Sequence, residues 1–367
     1  MKTLYLIKKE FLEIFRQKEM LFLMLVAPII QIIILGSIVT TDIKNVPVDI
    51  VNLSKNISAN RIVTRIIRSP LFKVRSVSRR ERDYSKILKR GDVRAVILLR
   101  DSKTKKSGFF NYPEVQVMSD GVDANSSRIA TGYFNGIIRN YILKDIERRG
   151  KSPLVKGKPL IRFNPELKSI NYMGPGIVAL LLTTITLFLT SISLVREKEQ
   201  QTMDTLLMSG LKPFEIYLGK TLPMGIVGVI DMVIGVVVVV MWFNIPVRGN
   251  MFFLLLSAMI FLSAILSYGM MISIFSSSQQ QSLFFSWFSL ITFILLSGLF
   301  TPVDNIPTGL KWLVKINPLA YFIRIIREIF LKGNGIEYFA KDLIYLAVIA
   351  IAISFFSIFN FKRFISK

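Results

Sequence analysis

The chain has 367 residues, 52% of them hydrophobic, with 47 Lys and Arg against 24 Asp and Glu and a net charge of +23. It contains no cysteine and no histidine, which excludes a disulfide framework, thiolate or imidazole metal ligation and a Ser-His-Asp triad. The apolar share is only a little above that of a soluble domain; what sets the chain apart is that charges are missing from several long stretches.

A basic balance can serve nucleic acid, anionic lipid or another acidic partner. Beside long apolar stretches the lipid reading comes first, because Lys and Arg flank membrane spans and meet anionic headgroups. Nucleic acid is not an expected partner.

In chain order, residues 1–20 predict an amphipathic helix. Leu4, Ile7, Phe11, Ile14 and Phe15 recur at helical spacing, with Lys8, Lys9, Glu10 and Glu13 mostly opposite. Such a helix lies along the cytoplasmic membrane face, as a plain interfacial anchor or as a partner-docking element. The stretch 21–40 follows, and about 20 apolar residues suffice to span a bilayer. It is too long for the apolar core of a cleaved signal peptide, and the charged segment before it is too long for an n-region.

Residues 41–173 change character. Strand-type runs at 46–53, 72–77, 93–99 and 115–118 alternate with helix-like stretches at 58–68, 80–89 and 125–149, which predicts a small α/β domain. The segment 42–172 carries 28 Lys and Arg against 12 Asp and Glu. Most of the excess positive charge therefore belongs to this domain, facing anionic headgroups or, on a sharper reading, a specific acidic partner.

Five more spans follow, at 174–195, 221–243, 251–275, 283–301 and 342–361. The expected fold class is an α-helical polytopic membrane protein: six transmembrane helices with an α/β extracytoplasmic domain inserted between spans 1 and 2. Short-loop Lys and Arg set the orientation: five before span 1, four in 196–220 and three in the tail 362–367, against one in 244–250. Both termini are then cytoplasmic. The loop 302–341 holds six, and is expected to be partly helical and to dip back into the membrane.

Three features bear on chemistry. Gly219-Lys220-Thr221 resembles the end of a phosphate-binding loop, but Phe214 stands where that motif needs a glycine and no strand precedes it. The chain is not expected to bind ATP itself. The loop 196–220 is charged at Arg196, Glu197, Lys198, Glu199 and Asp204, while Met203, Leu206, Leu207 and Met208 keep helical spacing until Gly210 and Pro213 interrupt it. This predicts a helix–turn–helix, with a second short helix at 214–220, that suits docking into a cytoplasmic partner's cleft. It suits a merely solvated positive-inside loop equally well. Asp231 stands mid-way along the third span, where an acid is costly and functional by default. It could meet a cation, a proton or a substrate amine, or be satisfied by neighbouring helices and fix packing.

The sequence resembles a known family. Glu197-Lys198-Glu199-Gln200 with Thr202 and Leu206-Leu207, followed by Pro213, Glu215 and Leu218-Gly219-Lys220, is similar to the signature of type-2 ABC exporter permeases. Asn164-Pro165-Glu166-Leu167-Lys168-Ser169, Pro175-Gly176, Gly91-Asp92-Val93, Asp120-Gly121 and Asp123-Ala124-Asn125 match the drug- and sodium-efflux-like subgroup with a large outer domain. Phe243, Pro246, Gly249, Ser278-Gln279-Gln280-Gln281, Ser297 to Pro302, Asn317-Pro318-Leu319 and Tyr321 continue the pattern over the whole chain. One position departs: Gln201 stands where the family usually has glycine.

The resemblance implies a non-catalytic subunit in a bacterial inner membrane. Its partners would be a cytoplasmic ABC ATPase dimer, which binds the ATP and Mg, a second permease chain, the same or homologous, and optionally a periplasmic adaptor. Arg196, Glu197, Glu199, Gln200, Thr202, Asp204, Leu206 and Leu207, with Phe11 and Phe15 of the first helix, would couple to the ATPase. Pro302, Asn317, Pro318 and Tyr321 would belong to an outer re-entrant gate, and Asp231 to a substrate or ion pathway. No cofactor or metal is expected in this chain. The rival reading is a membrane-anchored sensor or scaffold whose outer domain binds a ligand; it does not need six spans, an intramembrane acid and a charged docking loop.

Overall fold

The computed structural model describes residues 2–16, 18–38, 46–80, 87–88, 92–101, 113–119, 124–148, 163–164, 168–301 and 303–365. The chain is mostly helical and divides into two compact units, 1–40 with 161–367 and 41–160. Among the described residues, four helices are long and apolar enough to cross a membrane.

The smaller unit has a four-stranded sheet of order β2-β1-β3-β4, from β1 (Val46–Asn52), β2 (Phe72–Ser78), β3 (Ala95–Arg100) and β4 (Glu114–Ser119). β1 pairs in parallel with β2 and β3, and β3 pairs antiparallel with β4. The central strand β3 is buried from Ala95 to Leu99, as expected of a strand covered on both faces. The edge strand β2 alternates. The helices α3 (Ile57–Ile67) and α4 (Ala124–Arg148) lay Ile62, Ile66, Phe134 and Tyr141 on Val48, Ile50 and Ile97. The helix-like stretch at 80–89 falls largely outside the described residues, as do Gly91, Asp120 to Asp123, Pro165 to Leu167 and Pro302.

The larger unit begins with α1 (Lys2–Arg16) and α2 (Lys18–Ile38). It continues with α5 (Ser169–Glu199), α6 (Met203–Met208), α7 (Pro213–Phe243), α8 (Met251–Phe275) and α9 (Gln279–Leu295). Two 3-10 turns, the helices α10 (Lys311–Ile316) and α11 (Pro318–Arg327), a π turn and α12 (Ile336–Ile365) complete it. α5 is the central helix. All of Gly174 to Thr183 is buried, the mark of a helix surrounded by others, and α2, α7, α8, α9 and α11 pack around it.

Several boundaries differ from the sequence expectation for local reasons. Arg196 to Glu199 are the last turn of α5, not part of a separate loop helix. The helix expected at 214–220 is the first two turns of α7, which runs without a break from Pro213, a proline at its first position where a missing N–H costs nothing. The stretch expected as span 5 ends early. α9 stops at Leu295 because the chain turns through Ser297 and Gly298, whose φ of 79° is left-handed. Its 17 residues reach about 26 Å.

Candidate functional site

The C-terminal end of α5, the N-terminal end of α7, the C-terminal ends of α8 and α12, and the helices α1 and α6 converge at one end of the larger unit. Leu6, Leu194, Met203, Leu206, Ile216, Tyr217, Met270 and Phe361 form a small core there. Every charged residue of the Glu197-Lys198-Glu199 run has a separate task in this convergence.

α5 ends in a double hydrogen-bonded turn. The Thr202 N–H donates to the Glu197 carbonyl at 3.0 Å and the Gln201 N–H to the Lys198 carbonyl at 3.2 Å, the pattern in which the residue past the cap takes the left-handed conformation. That residue is Gln201, with φ 57°. The departure from the family's glycine therefore falls where glycine is preferred, and the glutamine adopts the glycine-like backbone. The Thr202 hydroxyl bonds back to the Glu197 carboxylate, which draws the start of α6 onto the end of α5.

Glu197 is buried and lies inside an ion cluster. Lys220 of α7, 1% exposed at its side chain, is 2.8 Å from Glu10 of α1 and 3.1 Å from Glu197, which are 4% and 5% exposed. Lys220 also donates to the Ser193 carbonyl at 3.3 Å. Lys9, partly exposed, pairs with Glu197 and, at 3.0 Å, with Glu13. Burial opposes the charge of Lys9, but its hydrogen bonds to Glu197 and Glu13 outweigh that and raise its ammonium above the ordinary lysine value. Carboxylate oxygens of Glu10, Glu13 and Glu197 lie within 4.8 Å of one another, a spacing open to a cation, but the ammonium groups of Lys9 and Lys220 already supply the countercharge. A buried ion set of this kind costs desolvation and is retained where it fixes one arrangement of its elements. Here it ties α1 to α5 and α7.

Lys198 and Glu199 clamp the turn between α8 and α9. Lys198 Nζ donates to the carbonyls of Ser273 (2.9 Å), Ile274 (2.8 Å) and Ser276 (2.9 Å) at the end of α8, and lies 4.6 Å over the Phe364 ring of α12. Glu199 accepts the Gln279 backbone N–H at 2.8 Å and its side-chain amide. A cation thus meets the carbonyl end of one helix and a carboxylate the amide end of the next, as the orphaned groups and helix dipoles favour.

A cleft of about 470 Å³ opens between α1 and α6, lined by Tyr5, Leu6 and Lys9 on one side and Thr202, Thr205 and Leu206 on the other. Leu206 is buried, Leu207 and Arg196 half-buried, and Glu199, Gln200, Thr202 and Asp204 exposed. Met208, at the end of α6, is 81% exposed. On α1 the faces differ from the sequence reading. Leu6, Glu10 and Ile14 are buried, whereas Leu4 and Phe15 are exposed and Phe11, half-buried, stacks on Phe15 at 6.3 Å. Glu10 is therefore not on the solvated side. It was misassigned because its partner, Lys220, is 210 residues away in sequence and lies in the rejected phosphate-loop look-alike.

Elsewhere in this unit, Asp231 is buried within α7, and neither carboxylate oxygen has a hydrogen-bond partner among the described residues. Toward the opposite end, Asn317 Oδ1 caps α11 by accepting the Leu319 N–H at 3.0 Å, and Asn317 Nδ2 donates to the Phe293 carbonyl of α9 at 2.8 Å. Pro318 opens α11, and the Tyr321 hydroxyl donates to the Lys315 carbonyl at 2.9 Å. These residues hold α9, α10 and α11 together.

The sequence profile of the family described as ABC-2 family transporter protein matches residues 18–359. The probable multidrug ABC transporter permease YbhR of Escherichia coli strain K12 is 26% identical over 334 residues, covering 90% of this chain and 90% of that one. The probable multidrug ABC transporter permease YbhS of the same strain is 26% identical over 330 residues, 89% and 87% of the two chains. The inner membrane transport permease YhhJ, also of that strain, is 24% identical over 353 residues, 95% and 93%.

Proposed function

The chain belongs to the ABC-2 transporter family and is a multi-pass permease subunit of an ABC transporter; from that premise we propose that it exports its substrate with ATP hydrolysed by a separate subunit. In this reading α2 and α9 join the four long apolar helices to make six spans, 41–173 is an extracytoplasmic domain, and both termini are cytoplasmic. The chain acts in a bacterial inner membrane beside a second permease chain. Anionic lipids face its basic surfaces, and a periplasmic adaptor is an optional further partner. The cargo is hydrophobic, amphipathic or cationic, and α10 and α11 form the outer re-entrant gate.

One observation carries the coupling role. The buried Lys220–Glu10–Glu197 set joins α1, α5 and α7 directly beside the cleft formed with α6. A partner seated against α6 and pushing on it would move the ends of α5 and α7 through bonded ion pairs. Lys198 and Glu199 would pass the same displacement to α8 and α9. The ATP and its Mg belong to that partner.

The test is purification of the tagged chain in mild detergent from its own host. An ABC ATPase is expected to co-purify with the wild type and to be lost from Thr205→Arg, which places a bulky cation in the cleft. A chain that brings down no ATPase, or a Thr205→Arg variant that keeps it, overturns the docking assignment.

A further inference from the structure

Gly228, Asp231 and Gly235 stand three and four residues apart and share one face of α7. That face packs closely on α5, α2 and α8, with a Cβ at Gly228 only 2.7 Å from Leu262 of α8. A Cβ at Gly228 would stand 3.1 Å from Thr186 Oγ1, and one at Gly235 would stand 3.2 Å from Val178 and 3.5 Å from Ile32. Helical side chains lean toward the helix N-terminus, so the side chain of Asp231 is directed toward the turn of Gly228, whose neighbours are Thr186 of α5 and Leu262 of α8.

Thr186 differs from the other threonines of α5. Thr183, Thr184 and Thr190 each donate to the carbonyl four residues back, at 2.6, 2.9 and 2.7 Å. The Thr186 hydroxyl, on a residue 1% exposed, makes no hydrogen bond among the described residues. Two buried polar groups without a hydrogen bond among the described residues, one of them an acid 5% exposed, thus belong to the facing helices α7 and α5. An unpaired polar group in an apolar interior costs several kcal/mol, and an unpaired carboxylate much more.

Among the described residues, the cations on the helices packed against α7 are those of α1, Lys8, Lys9 and Arg16 among them, with Lys9 paired to Glu13 and Glu197, and others toward the ends of α2, α5 and α12. In 24–38 of α2 and 174–195 of α5 there is no ionisable residue, and in α8 the one such residue is Tyr268, bonded to Ser289 at 3.0 Å. On α12 the ionisable groups sit toward its two ends, Glu337 to Tyr345 and Lys362 with Arg363. On α7 itself Glu215, Tyr217 and Lys220 precede the span. Lys220 is about 16 Å away along the helix axis and is engaged with Glu10 and Glu197 of α1 and α5.

We propose that Asp231 and Thr186 form an intramembrane proton-binding site. The bound ligand is a single proton, held while α5 and α7 are packed together. The proton comes from a hydronium ion of the adjoining water: one O–H bond forms on the carboxylate, one breaks on the hydronium, and water is left. The neutral acid can then donate to Thr186 Oγ1, and the Thr186 hydroxyl can donate in turn to the second carboxyl oxygen. A metal ion fits less well, because a hard cation takes six or more oxygen ligands, whereas this seam offers one carboxyl and one hydroxyl. Parting α5 from α7 would admit water, stabilise the carboxylate and release the proton. The inference requires that α7 crosses the membrane; it does not require the direction of transport or the ATPase partner.

Infrared difference spectroscopy on the full chain in lipid nanodiscs tests it, with Asp231→Asn as the reference. At neutral pH the wild type is expected to show the carbonyl band of a protonated carboxylic acid that Asp231→Asn lacks. Thr186→Val is expected to displace that band, since it removes the hydrogen-bond partner and keeps the shape. A carboxylate signal from Asp231 at neutral pH overturns the proposal, as does a band that Thr186→Val leaves in place. Loss of the band on adding sodium at fixed pH would make the ligand a metal cation and overturns it too. The readout needs no transport, so its failure is separable from failure of the export reading.

Discussion

Replacing Lys220 with methionine keeps most of the side chain's volume and removes its charge. In the wild type Lys220 is buried with Glu10 at 2.8 Å and Glu197 at 3.1 Å. Taking one partner from a buried ion set strands the others, at about 3–5 kcal/mol. Lys9 already pairs with Glu197 and lies 4.0 Å from Glu10, and it is partly exposed and able to move. That places the expected loss at the lower end, about 3 kcal/mol. The triple variant Lys220→Met, Glu10→Gln, Glu197→Gln removes the stranded charges as well and is expected to return to within about 1 kcal/mol of wild type. Unfolding of the detergent-solubilised chain, followed by tryptophan fluorescence, compares the three proteins. If Lys220→Met alone matches wild type, or the triple variant is no better than the single one, the cluster is not a paired ion set and the reasoning fails.

Three further outcomes follow from single positions. Gln201→Gly relieves a left-handed non-glycine residue past the α5 cap and is expected to raise stability by about 1 kcal/mol, read as a higher unfolding midpoint; no rise would mean that the glutamine side chain compensates. Gly249→Ala puts a Cβ 2.6 Å from the Ile329 carbonyl oxygen. The backbone of the π turn after α11 must then shift, and a loss of about 2 kcal/mol or more is expected in the same measurement. Lys198→Met uncovers the three carbonyls at the end of α8 and is expected to cost about 2 kcal/mol. Faster proteolysis at the turn before α9 would report the loosened clamp locally.

The features legible in the sequence were those written in neighbouring residues. The apolar stretches at 174–195, 221–243, 251–275 and 342–361 lie within α5, α7, α8 and α12, because a span announces itself by uninterrupted hydrophobicity. Pro213, read as interrupting a helix, opens α7 in the fold, and Pro318 opens α11 behind its cap Asn317. Gln201 was singled out by comparison with a family pattern, and the structure supplies the reason, a positive φ that no composition could reveal.

The site itself was only half legible. The charged loop left docking and a solvated positive-inside loop equally open for Glu197 and Glu199, and their coupling role came from the family resemblance. In the fold Glu197 is turned inward to Lys220 and Lys9, and Glu199 is spent on the start of α9. Glu10 was assigned to the wrong face of α1 because a helical wheel ranks residues by polarity and cannot see a buried cation opposite them. Lys198 drew no separate role, although it closes α8.

By itself, then, the sequence determined that this chain is a helical membrane protein of the ABC-2 family, since hydropathy is a sum over adjacent residues and family motifs are local strings. Which charges face the solvent and which hold helices together was decided by the tertiary structure alone. Ion pairing depends on separations of a few ångströms between residues up to 210 positions apart, and chain folding sets those separations.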